Sequence, residues 1–112
     1  MTSEEGIALA RFALFGFKNP DVSVVARLIG DALTVHLDMR ESSYKGGEYF
    51  LHRDVGGMEI SVEANVRDEE GVLAEPDHPD YPVLVYLNHS SLPAESRISE
   101  VDGLDLLRVE DI

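Results

Sequence analysis

The sequence predicts an α+β fold, with N-terminal helices packed on a mostly antiparallel sheet of four to five strands, in a single domain spanning residues 1–112. Three observations predict it. Apolar residues recur at helical spacing as far as about residue 30, the period changes to two from Thr34, and Gly46-Gly47 and Gly56-Gly57 punctuate the strand-like runs that follow. A chain of 112 residues is long enough for one hydrophobic core, and a hydrophobic content of 44% is ordinary for a folded domain.

Ser3, followed by Glu4 and Glu5, has the composition of a helix start. Ile7, Ala10, Leu14 and Phe17 then form one apolar row and Ala8, Phe12 and Phe15 a second, which predicts a largely buried helix ending near Gly16. Asn19-Pro20-Asp21 reads as a second start, with Asn as the cap and Pro in the first turn. Val22, Val25, Ala26 and Ile29 supply the buried stripe of that helix, which stops between Gly30 and Ala32.

From Thr34, Val35, Leu37 and Met39 alternate with His36, Asp38 and Arg40, the pattern of a half-buried strand. Gly46-Gly47 turns the chain into a return strand over 49–55, and Gly56-Gly57 turns it again into MEISVEANV. There Met58, Ile60, Val62 and Ala64 alternate with Glu59, Ser61, Glu63 and Asn65, which places the carboxylates on the outward side. Pro76, Pro79 and Pro82 exclude a regular helix or central strand from the next segment. VLVYL (83–87) is a short apolar run suited to a strand buried on both faces. Pro93 opens a short helix running to about Val101, and Leu104 to Val109 forms a last strand or docked segment after Gly103.

Several function classes are excluded by composition. The chain has no Cys, so disulfides, thiolate metal ligation and thiol catalysis are absent together. Its apolar runs are too short to cross a bilayer, and an N-terminus carrying Glu4 and Glu5 without a basic stretch reads poorly as a signal peptide, so a cytoplasmic location is expected. A net charge of −13 and a pI near 4.4 disfavour nucleic acid and anionic membranes as partners. The charge is also uneven. Residues 1–56 hold eight acids against six Lys and Arg, whereas residues 57–112 hold fourteen against three. A basic partner meeting the second half of the chain is the expectation.

No catalytic constellation emerges. Lys45-Gly46-Gly47 lacks the spacing of a phosphate loop and lies between strands. His36-x-Asp38 is better read as a solvated strand-face pair. His78 beside Asp77 and Asp80 lacks the ligand rhythm of a cation loop, and His89 with Ser90 or Ser91 lacks a nucleophile elbow. The expectation is no enzyme, no metal and no cofactor.

The segment RDEEGVLAEPDHPDYP (67–82) stands out instead, with six acids behind one Arg and no pattern that would bury it. Grouped carboxylates repel one another, a destabilisation that a partner's Lys and Arg would relieve while the complementary field speeds encounter. The candidate partner-binding residues are Glu59, Glu63, Asp68, Glu69, Glu70, Glu75, Asp77 and Asp80, with Tyr81 as an aromatic anchor.

The succession GGEYFL (46–51), MEISVEANV (58–66), EGVLAEPDHPDYP (70–82) and VLVYLN (83–88) resembles the small acidic immunity proteins of bacterial polymorphic toxin and contact-dependent growth inhibition systems. The resemblance covers roughly residues 44–88, is one of layout, and transfers no individual functional residue. It implies a cytoplasmic, non-enzymatic protein that binds and neutralises the C-terminal toxin domain of a secreted effector, commonly a basic nuclease. Two other classes stay open: a small acidic secretion chaperone or adaptor, which would use an apolar groove or the helix at 7–17, and a small enzyme whose His36, Asp38 or His78 converge in a pocket.

Overall fold

The computed structural model describes residues 10–112. The elements run β1 (Arg11–Phe17), α1 (Val22–Leu33), β2 (Asp38–Ser42), a 3-10 turn (Ser43–Lys45), β3 (Gly47–Arg53), β4 (Glu59–Ala64), β5 (Val83–Asn88), α2 (Leu92–Ile98) and β6 (Leu104–Asp111). All six strands form one sheet in the order β2-β3-β4-β5-β1-β6, and every neighbouring pair is antiparallel.

This corrects the expected architecture. The sheet has six strands rather than four or five, and the two helices follow β1 and β5 instead of leading the chain. The first described element is a strand inside the sheet. RFALFGF is apolar at successive positions, so its residues fall into helical rows as readily as onto the two sides of a buried strand. Tertiary pairing decides between them: β1 hydrogen-bonds to β5 on one side and β6 on the other. Ala13, Phe15 and Phe17 then point to one face and Leu14 and Gly16 to the other, all of them buried. The expected helix start at Ser3 lies outside the described residues.

The second helix forms as expected, with its boundaries displaced. Asp21, not Asn19, caps α1, its carboxylate accepting from the Ser23 and Val24 N–H groups, while Asn19 accepts from the Asp21 N–H one step earlier. The helix runs on to Leu33 and ends at Thr34, which takes the left-handed conformation (φ 58°) that lets its N–H reach the Gly30 carbonyl. Thr34 to Leu37 is therefore a helix exit, and β2 begins at Asp38.

The core lies between the sheet and the two helices. Ala13, Phe15 and Phe17 of β1, Ile60 and Val62 of β4, and Val83, Val85 and Leu87 of β5 pack against Val25, Ala26, Ile29 and Leu33 of α1 and Ala94 and Ile98 of α2. Each fully buried Val, Leu, Ile or Phe side chain contributes about 1.5–3 kcal/mol. One buried ion pair ties α2 to the sheet. Glu95, 8% exposed, accepts from Arg11 Nε and Nη2 at 2.7 and 2.9 Å and from the Ser90 hydroxyl at 2.8 Å. No helix among the described residues is long and apolar enough to cross a membrane.

Candidate functional site

Strand alternation sends a second set of side chains to the face opposite the helices. From the register, Ser61 stands beside Tyr86, Glu63 beside Leu84, Glu59 beside Asn88, and Leu14 beside both Tyr86 and Arg108. Leu14, Leu51 and Leu84 are buried on this face although neither described helix covers it. Part of the cover comes from the acidic segment, which folds back over the sheet. That corrects the expectation that residues 67–82 contribute nothing to the packing.

The segment has its own framework. The Asn65 side chain accepts from the Glu75 N–H at 3.0 Å and donates to the Glu75 and His78 carbonyls at 3.4 and 3.0 Å, which closes the loop across its neck. Residues 66–74 form a small hairpin through the bridge between Arg67 and Leu73 and the Ala74 N–H to the Val66 carbonyl. Inside its turn the Asp68 carboxylate accepts from the Glu70 and Val72 N–H groups, and Arg67 donates to the Gly71 carbonyl at 2.7 Å.

Two side chains then pin the loop to the sheet. Glu75, 9% exposed, accepts from Arg108 Nη1 and Nη2 at 2.9 and 3.2 Å and from the Tyr86 hydroxyl at 2.7 Å. Burial disfavours the charged form of Glu75, but hydrogen bonds from Arg108 and Tyr86 outweigh it and hold the carboxyl below its ordinary pKa. Burial and the same carboxylate push the Tyr86 hydroxyl well above its ordinary value, so Tyr86 stays a donor. Tyr81 is the second anchor. Its ring lies directly over Gly16, where a Cβ would come within 2.6 Å of it, and its hydroxyl donates to Asp105 at 2.6 Å. Gly16 therefore marks a close approach of side chain to backbone within a central strand.

The candidate binding residues thus separate into two groups. Glu59, Glu63 and Glu75 lie on the sheet face, each already joined to a base: Glu59 to Arg53 at 2.6 Å, Glu63 to Lys45 at 2.9 Å and Glu75 to Arg108. Glu63 is only 7% exposed, so its outward placement by alternation holds for the side of the sheet but not for access to solvent. Asp68, Glu69, Glu70, Asp77 and Asp80 are exposed, on the hairpin tip and the Pro-bounded return of the loop, and Tyr81 is half-buried between the two groups. Among the described residues none of these five exposed carboxylates forms an ion pair with Lys or Arg: Arg67, in the same hairpin, donates to the Gly71 carbonyl, and Arg108 pairs with Glu75 and Glu110.

Lys45, Arg108, Tyr86 and Asn65 complete this face, although none of them is among the binding residues expected from the sequence. The hydroxyl of Tyr86 within VLVYL is a polar end in an apolar run, which demands a buried partner and is a readable signal. Nothing in the sequence marks Lys45 as the partner of Glu63. The other polar candidates stay apart. His36 is exposed and 3.4 Å from Asp38, His78 meets the Tyr81 ring edge-on, His89 packs on Phe12, and Gly46 (φ 81°) closes the 3-10 turn of a hairpin. Among the described residues no three His, Asp or Glu side chains gather as a metal site. No family model matches the chain, and neither the curated proteins nor the solved structures contain a match.

Proposed function

We propose that the protein is a non-enzymatic inhibitor that binds a basic protein partner through loop 65–82, acting in the cytoplasm as an immunity protein acts on a nuclease-type toxin domain. One observation carries the reading. The loop is fixed by Asn65, Glu75 and Tyr81, yet Glu69, Glu70, Asp77 and Asp80 project from it without a basic partner among the described residues. A loop ordered before contact loses little entropy on binding, and uncompensated charge raises the encounter rate with a basic surface. The toxin as the partner comes from the resemblance in layout; the charge argument by itself supports a basic protein. The apolar N-terminal helix that an adaptor would use is, over residues 11–17, the buried strand β1.

The test begins with capture of a partner on the tagged protein at low salt and continues with association kinetics across a salt series. Recovery of a basic domain, with the variant E69Q/E70Q/D77N/D80N associating more slowly and with a flatter salt dependence, is the expected outcome. Identical kinetics for the variant and the native protein would refute the role of the loop.

A further inference from the structure

The part of the second face that loop 65–82 leaves open carries a groove. One end is a cavity of about 310 Å³ lined by Lys45, Glu59, Ser61, Glu63, Tyr86 and Asn88. Glu59 and Asn88 also line an adjoining cavity of about 490 Å³ that reaches Phe12 and His89, so the two form one trench across β4, β5 and β1.

Its floor is unusual for an open sheet face. Ser61 and Glu63 are 4% and 7% exposed, deeper than a solvated strand face requires. The Ser61 hydroxyl at 2.6 Å and Lys45 Nζ at 2.9 Å both donate to one oxygen of Glu63, Oε2. The other oxygen, Oε1, receives no hydrogen bond from the described residues, and neither does Asn88 Oδ1, since Asn88 donates through Nδ2 to Glu59. A nine-tenths-buried carboxylate in a cavity wall with one uncommitted oxygen calls for a donor.

A ligand that supplied that donor would need a particular chemistry. An anion would meet Glu59 and Glu63, whose bases, Arg53 and Lys45, are already engaged. An apolar group would leave the buried acceptor unmatched. Tyr86 pairs directly with Ser61 across β4 and β5, and Glu63 is the next residue of β4 on the same face. An aromatic ring beside an acceptor suits a planar cation that stacks on one and donates to the other, a pairing in which a guanidinium is favoured over an ammonium.

We propose that this trench seats the guanidinium of an arginine side chain, donating to Glu63 Oε1 and lying against Tyr86. Supplied by a basic protein, that arginine would make the trench a specificity pocket beside the acidic loop; this assignment of its source rests on the function proposed above. The same chemistry could come from a free arginine derivative, and the experiment separates the two.

The test is a two-dimensional 1H–15N NMR titration of the full chain with N-acetyl-arginine amide, and with N-acetyl-citrulline amide as its uncharged isostere. Saturable shifts at the amides of residues 59–63 and 86–88, with citrulline at least tenfold weaker, are expected. Glu63→Gln should weaken the arginine probe by a similar factor. Absence of saturable shifts at these amides, or equal binding of citrulline, overturns the proposal, and the citrulline comparison on native protein stands even if Glu63→Gln fails to fold. Competition of the probe with the captured partner identifies the arginine as the partner's; saturable binding without competition overturns that part. A trench that binds nothing, beside loop variants that slow the partner, would remove this proposal and leave the proposed function intact.

Discussion

Replacing Glu75 by Ala tests whether the acidic loop depends on its buried anchor. The substitution removes the acceptor of the Tyr86 hydroxyl, a group held at 2.7 Å in a half-buried position. A buried donor left without a partner costs about 1–3 kcal/mol. The pair with Arg108, whose side chain is 40% exposed, adds roughly 0.2–1 kcal/mol, because solvent screens it. The sum is a loss of about 1–4 kcal/mol, equivalent to a fall in Tm of roughly 4–8 °C for each kcal/mol in a domain near this size. Urea unfolding at pH 7 measures it, as a lower midpoint at constant slope. Adding Tyr86→Phe removes the orphaned hydroxyl and should recover about 1 kcal/mol. Hydrogen exchange should quicken in residues 65–82 before it does in β1 or β5. A loss below about 0.5 kcal/mol, with loop exchange unchanged, would refute the argument, since it would place the loop's order entirely in its own hairpin and in Tyr81.

Gly16→Ala should destabilise by about 1–3 kcal/mol through overpacking against Tyr81 and Leu107, and adding Tyr81→Ala should relieve part of that loss in the same unfolding assay. Phe15→Ala should cost about 3–5 kcal/mol because that ring is 2% exposed. Phe12→Ala should cost less, since Phe12 is half-buried beside His89; equal losses at the two positions would contradict the strand assignment. Stability should fall on acidification. Glu95 is held below its ordinary pKa chiefly by the hydrogen bond from Arg11, Glu59 by that from Arg53, and Glu75 by Arg108 and Tyr86 against the opposing effect of burial. A folded-state pKa below the unfolded one adds stability above about pH 4.5, which is lost as the pH drops through the folded value. Urea midpoints should stay level between pH 7 and 5 and fall at pH 3.5, and Glu95→Gln should flatten the fall.

The sequence was most legible where one face of an element is polar. Val22, Val25, Ala26 and Ile29 gave α1, the alternation of Ile60 and Val62 with Ser61 and Glu63 gave β4, and Gly46-Gly47 gave the β2–β3 hairpin. Capping by Asp21 in place of Asn19 displaced one boundary, and the left-handed exit at Thr34 displaced another. β1 was misread because both its faces are buried, which erases the periodicity that separates strand from helix. The acidic segment was misread for a different reason. Its charge signalled solvent, but the partners that allow Glu75 inside, Arg108 and Tyr86, are distant in sequence and met only in the folded sheet. The exposed positions of Asp68, Glu69, Glu70, Asp77 and Asp80 follow from composition alone.

The position of β1 has a consequence for how the chain is made. Ala13 pairs with Leu87 on one side and Val109 on the other, and Arg11 meets Glu95 at a separation of 84 residues. During vectorial synthesis β2, β3 and β4 can zip up as they emerge, but β1 has no neighbour until β5 has left the ribosome, and only one until β6 follows. For most of translation Phe15 and Phe17 have no sheet to join. Such long-range closure is slow and leaves an apolar strand open to chance contacts, so nascent-chain rescue by a holdase should matter more for this domain than its size suggests. A circular permutant that joins the ends and opens the chain at the exposed Gly56-Gly57 turn would place β1 directly after β6 and behind both of its sheet neighbours in sequence, and it should refold faster than the natural order.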